Sequence, residues 1–110
     1  MSELAFKTAT ELAAMIKSKE IGAEELLDHY LDRVERYNPS LNAIIVIDAE
    51  RGRERARQAD AALAKGELWG PLHGVPMTIK ESYNVAGLPT TNGRPDMKDK
   101  FAESDALAVE

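Results

Sequence analysis

Apolar positions recur at helical spacing through most of the first 65 residues. Thr8-Ala9-Thr10-Glu11 has the form of a capping box, a hydroxyl at the cap and a carboxylate three residues on. Leu12, Met15 and Ile16 follow, so the spacing predicts a short helix over about 9–18. Gly22 interrupts the chain. A longer helix is expected over about 23–37, with Leu26, Leu27, Tyr30, Leu31, Val34 and Tyr37 on one face and mostly charged residues on the others. Asn38-Pro39-Ser40 is expected to stop it. A third helix over about 49–65 opens at Asp48 and carries Ala49, Gly52, Ala56, Ala59 and Leu63 on its inner face. Small residues there imply close approach to a neighbour, and Gly66 is expected to end it. Between the second and third helices, Ala43-Ile44-Ile45-Val46-Ile47 is a continuous β-branched run, which predicts a strand at 43–47 buried on both faces. A second strand is predicted at about 75–83, then a loop over 84–100 and the start of a helix from about 104.

Two strands do not close a sheet, because buried strands need neighbours and helical cover. Ser104 to Glu110 begins like a capped helix and stops within two turns, too short to stand alone. At 110 residues the chain is therefore expected to be part of a larger domain, and to fold only partly or to associate when alone. It has no cysteine, which excludes disulfides, thiolate zinc sites and a cysteine nucleophile. Fourteen Lys and Arg against nineteen Asp and Glu give a net charge of −5, which argues against a nucleic-acid partner. The first residues lack a basic region followed by an apolar core, and no apolar run is long enough to span a bilayer. A cytoplasmic protein with no membrane partner is expected.

The chemistry concentrates in residues 70–81, Gly-Pro-Leu-His-Gly-Val-Pro-Met-Thr-Ile-Lys-Glu. On a strand, Val75, Met77 and Ile79 share one face and Thr78 and Lys80 the other. In a central strand Lys80 would point into protein, lose basicity by desolvation and serve as a general base. At a sheet edge the same side chain would reach water along its stem. Spacing alone leaves both open.

This run resembles the amidase signature family, whose members hydrolyse amides with a serine, a second serine that follows a cis peptide bond, and a lysine. The family pattern is Gly-Pro-Leu-His-Gly-(Ile/Val)-Pro, a few apolar residues, then Lys-(Asp/Glu), and residues 70–81 match it position by position. Val85-Ala86-Gly87-Leu88-Pro89-Thr90-Thr91-Asn92-Gly93 is similar to the family's Gly-x-x-Thr-Thr-x-Gly stretch. The upstream helices and the entry to 43–47 are similar as well, so the resemblance covers nearly the whole chain. It implies an α/β fold with a mixed sheet flanked by helices, present here only in its N-terminal part. It implies that Lys80 is the catalytic lysine, that Thr90, Thr91 and Gly93 are substrate-binding, that the substrate is a small amide, and that neither metal nor organic cofactor is used. The family's serines lie downstream in a Gly-Ser-Ser-Gly-Gly-type stretch, and no such stretch occurs in this sequence.

None of the five serines, Ser2, Ser18, Ser40, Ser82 and Ser104, lies in a glycine-rich nest, so none is expected to be a nucleophile and the chain alone is expected to be inactive. Ser82 shares a strand face with Lys80 but lies roughly 7 Å along it, and Ser104 reads as a helix cap. Arg94 stands where the family commonly has Ser, and reads as a solvated loop residue. His73 reads as a structural histidine and His29 as a surface one; two isolated histidines have no metal-ligand spacing. Arg51, Arg53, Arg55 and Arg57 straddle two sides of a helix among acids, a solvated pattern rather than a nucleic-acid patch. The stripe on the second helix is expected to face its own core, with homodimerisation left open. Two other functional readings stand beside the amidase. One is the glutaminase subunit of a tRNA-dependent amidotransferase, which uses the same lysine and serines. The other, from a different class, is a truncated non-catalytic module for binding or assembly.

Overall fold

The computed structural model describes residues 2–110, which fall into two compact units, one ending at Pro76 and the other Met77–Glu110. The first is helical. After a 3₁₀ segment Ser2–Phe6 come α1 (Ala9–Lys17), α2 (Ala23–Leu41) and α3 (Ala49–Ala64). Among the described residues no helix is long and apolar enough to cross a membrane.

The capping box forms at the start of α1. The Glu11 amide donates to Thr8 Oγ1 at 3.2 Å, and the Thr8 amide donates to the Glu11 carboxylate at 2.7 Å. That bond, and then the Thr8 hydroxyl, hold the Glu11 carboxyl below its ordinary value. At the other end of the helical unit, Gly66 takes φ +82. Its amide bonds Leu63 C=O while the Glu67 amide bonds Ala62 C=O, so α3 ends in a Schellman motif.

The N-terminus of α2 has no side chain of its own to cap it, since the cap residue is Gly22. Asp60, in the last part of α3, supplies the acceptor. Its Oδ1 takes the Ala23 amide at 2.7 Å and its Oδ2 the Glu24 amide at 3.1 Å. A carboxylate on two consecutive free N–H groups at the positive end of a helix is favourable twice over, as hydrogen-bond acceptor and as charge. Arg57 pairs with Glu24 at 2.9 Å and Arg53 with Asp28 at 2.8 Å. These pairings run in opposite directions along the two helices, so α2 and α3 are antiparallel. Ala23, Ala56 and Ala59 are buried along this seam with Leu27 packed against them. A second core joins Leu4, Leu12, Ile16, Ile21 and Leu26, covered by Met15, Tyr30, Leu63 and Val75. The arginines of α3 are engaged within the chain, Arg51 with Asp48, Arg57 also with Glu54, and Arg55 stacked over Trp69 at 4.1 Å.

Three expectations are corrected. First, α2 does not stop at Asn38-Pro39-Ser40 but runs through Pro39 to Leu41, ending at Asn42 in the left-handed region, φ 48. Proline lacks an N–H for Glu35 C=O and crowds it, but the turn beyond still closes, the Asn42 amide reaching Asn38 C=O at 2.7 Å. Second, neither 43–47 nor 75–83 is a strand here; among the described residues the only β pairing outside helices is an isolated antiparallel bridge between Pro89 and Phe101. A β-branched run becomes a strand only when a neighbour takes up its N–H and C=O groups. Residues 43–47 find one substitute, the Asn38 side chain, which exchanges two 2.9 Å hydrogen bonds with the Ile44 backbone. Ile45 is 58% and Ile47 51% exposed, so the burial on both faces expected of 43–47 is absent in this chain. Third, no helix starts at Ser104. Residues 107–109 form a turn, and Asp105 accepts the Ala86 amide at 2.7 Å.

Asp60→Ala is expected to lower the urea midpoint of the chain with unchanged m-value, a loss of about 1–2 kcal/mol. An unchanged midpoint would contradict the capping role.

Candidate functional site

The matching run 70–81 passes through both units, and each part can be read separately. In the helical unit, His73 is 5% exposed and fully bonded. Its Nδ1 accepts the Trp69 amide at 3.0 Å, which leaves Nε2 to carry the proton and donate to Ala59 C=O at 2.8 Å. It anchors the Gly-Pro-Leu-His-Gly stretch to α3 and has no lone pair left for base chemistry. Gly74 takes φ +76, and a Cβ there would stand 2.9 Å from Ala23 Cβ and 3.3 Å from Ile16 Cγ2. Only glycine fits, both for its backbone and for its closeness to the seam. Half of the motif therefore serves the fold. An open groove of about 260 Å³, lined by Thr10, Ala13, Lys17, Leu68, Leu72 and His73 among others, lies in this unit and contains no candidate catalytic residue.

The second unit has no buried residue among Met77–Glu110 and is held by polar contacts. Residues 87–90 run against 100–102, with Gly87 N–H on Ala102 C=O, Ala102 N–H on Leu88 C=O and Thr90 N–H on Lys100 C=O. Lys80 begins a turn closed by the Tyr83 amide on Lys80 C=O at 2.9 Å. Its side chain is exposed, not turned into protein, and residues 77–80 are exposed throughout.

Glu81, the next residue, draws the threonine loop to it. Its Oε1 accepts the Thr91 amide and, at 2.7 Å, the Thr91 hydroxyl; its Oε2 accepts the Asn92 amide at 2.8 Å. The Thr91 hydroxyl, and then the Thr91 and Asn92 amides, hold this carboxyl below its ordinary value. Asn92 and Gly93 have φ 51 and 72, and the Arg94 amide returns to Thr91 C=O at 2.9 Å. Two consecutive positive φ values with this bond make an Asn-Gly turn of the type I′ kind. Gly93 N–H is taken by Thr91 Oγ1 at 3.3 Å. The amides of Thr90, Thr91, Asn92, Gly93 and Arg94 are thus all engaged, and the loop has no free N–H to offer an oxyanion. The Thr90 hydroxyl remains, buried and without a partner. Arg94 forms an exposed pair with Asp96 at 2.6 Å, as a solvated loop arginine does. His29 is half-buried rather than on the surface, its Nε2 lacking a hydrogen-bond partner.

The structure therefore brings together the segment of Lys80, through Glu81, and the loop of Thr90, Thr91 and Gly93. Sequence reasoning missed Glu81 as the tie. Two signals pointed to it: the acidic position after the lysine in the matching run, and the Asn92-Gly93 dipeptide, a strong turn signal. Among the described residues no group of three or more His, Cys, Asp or Glu is arranged to hold a metal.

The protein-family model named Amidase matches residues 25–110. The chain belongs to the amidase signature family. It is 41% identical over 110 residues to a glutamyl-tRNA(Gln) amidotransferase subunit of Acidothermus cellulolyticus, covering 100% of this chain and 22% of that protein. It is 41% identical over 103 residues to the acylamidase of Rhodococcus erythropolis, covering 94% and 22%. It is 44% identical over 102 residues to the indoleacetamide hydrolase of Bradyrhizobium diazoefficiens, covering 93% and 20%. The chain thus spans about a fifth of the length of these relatives. Among solved structures, a bacterial aryl acylamidase of the amidase signature family superimposes with a TM-score of 0.83 at 32% identity, over 87% of this chain and 20% of that one. Another, from work on a vestigial protein complex and the origins of an s-triazine catabolic enzyme, gives 0.86 at 26% identity, over 91% and 22%.

Because the Glu81 carboxyl is depressed, the tie is expected to be intact above the ordinary glutamate range and to be lost only as pH falls through the lowered value. Thr91 and Asn92 amide shifts followed against pH are expected to titrate below that range. A midpoint at or above it would contradict the arrangement.

Proposed function

We propose that the 110 residues are the lysine-bearing N-terminal portion of a single amidase domain that hydrolyses a carboxylic amide to an acid and ammonia or an amine. The observation that carries this reading is the amidase match over residues 25–110, which includes the run around Lys80. In the complete domain, segments 43–47 and 75–83 would join a mixed sheet flanked by helices, and Lys80 would be covered.

In such a domain the covered lysine amine would serve as the base. Neutral Lys80 accepts a proton from a bridging serine, which takes one from the nucleophilic serine. The freed oxygen bonds the amide carbon, and the carbonyl electrons move onto oxygen, where N–H donors stabilise them. Collapse of this intermediate breaks the C–N bond, and the relay returns its proton to the departing nitrogen. Water then enters by the same route and releases the acid. Both serines lie outside this sequence. Ser18 and Ser40 have their hydroxyls bonded to Met15 and Tyr37 C=O, at 3.1 and 3.0 Å, which supports excluding them as nucleophiles. No metal or organic cofactor enters this scheme.

The identity with a tRNA-dependent amidotransferase component over the whole chain favours a second reading, the ammonia-producing component of such an enzyme. It uses the same lysine chemistry but depends on a partner protein for its product's fate.

Alone, the 110 residues are expected to hydrolyse no 4-nitroacetanilide or simple primary amide. Joined to the downstream portion of the domain, they are expected to do so, and Lys80→Met to lower the rate about 10²- to 10⁴-fold. Hydrolysis by the complete domain that is indifferent to Lys80→Met would overturn the proposal.

A further inference from the structure

We propose that Glu81 is the positioning residue of this site, fixing the backbone that carries Lys80 to the turn at Asn92-Gly93. The inference rests on the reading of Lys80 as the catalytic lysine, but the observations behind it are independent of that reading.

Two contacts hold the main chain immediately after the Lys80 Cα. Its own carbonyl is bonded to the Tyr83 amide at 2.9 Å. The adjoining residue, Glu81, reaches ten residues along the chain and takes three donors at once, the Thr91 amide, the Thr91 hydroxyl and the Asn92 amide. The second unit offers no buried apolar core to do the same work. A side chain on so thinly packed a segment would otherwise be free to swing with its backbone. Fixing the chain on the C-terminal side of Lys80 limits the directions its Cα–Cβ bond can take, and a proton acceptor must lie within hydrogen-bond reach of its donor.

The arrangement requires a carboxylate rather than any polar group. Thr91 occupies one oxygen with two donors and Asn92 occupies the other. An amide has one acceptor oxygen, and its NH₂ would face an N–H. The carboxylate is also well matched to the turn it holds. Asn92 at φ 51 and Gly93 at φ 72 form the type I′ turn that Asn-Gly favours, and the carboxylate anchors that turn to Glu81. The Thr91 hydroxyl passes the restraint on, donating to Glu81 and accepting from Gly93 N–H. Glu81 needs no contact with substrate for any of this; it acts through Lys80 and the loop. Its carboxyl stays ionised across the neutral range because all three of these bonds favour the charged form.

The test uses the complete domain with 4-nitroacetanilide as probe, comparing wild type, Glu81→Gln and Lys80→Met, with amide hydrogen exchange at Thr91 and Asn92 as a readout that does not need activity. Glu81→Gln is expected to release the protection of both amides and to lower kcat by about 10- to 100-fold with KM within about twofold, since misplacement by an ångström costs on that order. Unchanged protection in Glu81→Gln, or lost protection with wild-type kcat while Lys80→Met is inactive, would overturn the positioning role alone. So would a fall confined to KM. A complete domain in which Lys80→Met keeps full activity would instead overturn the reading of Lys80 on which the role depends.

Discussion

The Asp60 carboxylate sits on the first two N–H groups of α2, doing from another helix what Gly22 cannot do from its own position. Much of the helical unit follows from that contact. It sets the height of α3 against α2, and so brings Ala56 and Ala59 opposite Ala23, where small side chains let the helices approach closely. Ala59 then presents its carbonyl to His73, and Ala23 its methyl to Gly74. The stretch from Trp69 to Gly74 is laid down on a surface that exists only because the two helices are in register. Part of a motif that looks chemical thus serves the fold: its histidine and second glycine hold the chain to the helices.

The second unit repeats the device on a smaller scale. Glu81 gathers consecutive N–H groups of a turn as Asp60 gathers those of a helix end. Both cases place a carboxylate where backbone donors would otherwise go unsatisfied. The difference lies in what surrounds them. Asp60 is backed by an apolar seam, whereas Glu81 works in a unit with no buried residue. Polar ties therefore carry a larger share of the order around Lys80 than around His73.

The features legible in the sequence are those that short-range physics decides. The box at Thr8 and Glu11, the glycine stop at Gly66 and the small-residue face of α3 are local patterns, and each corresponds to a contact. The runs at 43–47 and 75–83 were legible as extended and apolar but not as strands, since pairing is a property of a neighbour and none is present among the described residues. Pro39 reads as a stop because proline breaks a helix interior, yet the helix continues past it by one short turn, closed by the Asn42 amide on Asn38 C=O. Asp60 reads as one more acid on a solvated helix; its partner is 36 and 37 residues away, beyond any local window. The roles proposed for Lys80, Thr90, Thr91 and Gly93 rest on resemblance, not on spacing. The geometry adds that the loop's amides are already spent on Glu81, Lys100 and Thr91.

The central claim is that Lys80 ends a proton relay. A crystal structure of the complete domain tests it most directly. The account predicts the Lys80 amine covered by protein, with Nζ about 2.6–3.2 Å from a serine hydroxyl that in turn reaches a second serine. A Lys80 side chain still extended into solvent, with no serine hydroxyl near it, would contradict the account.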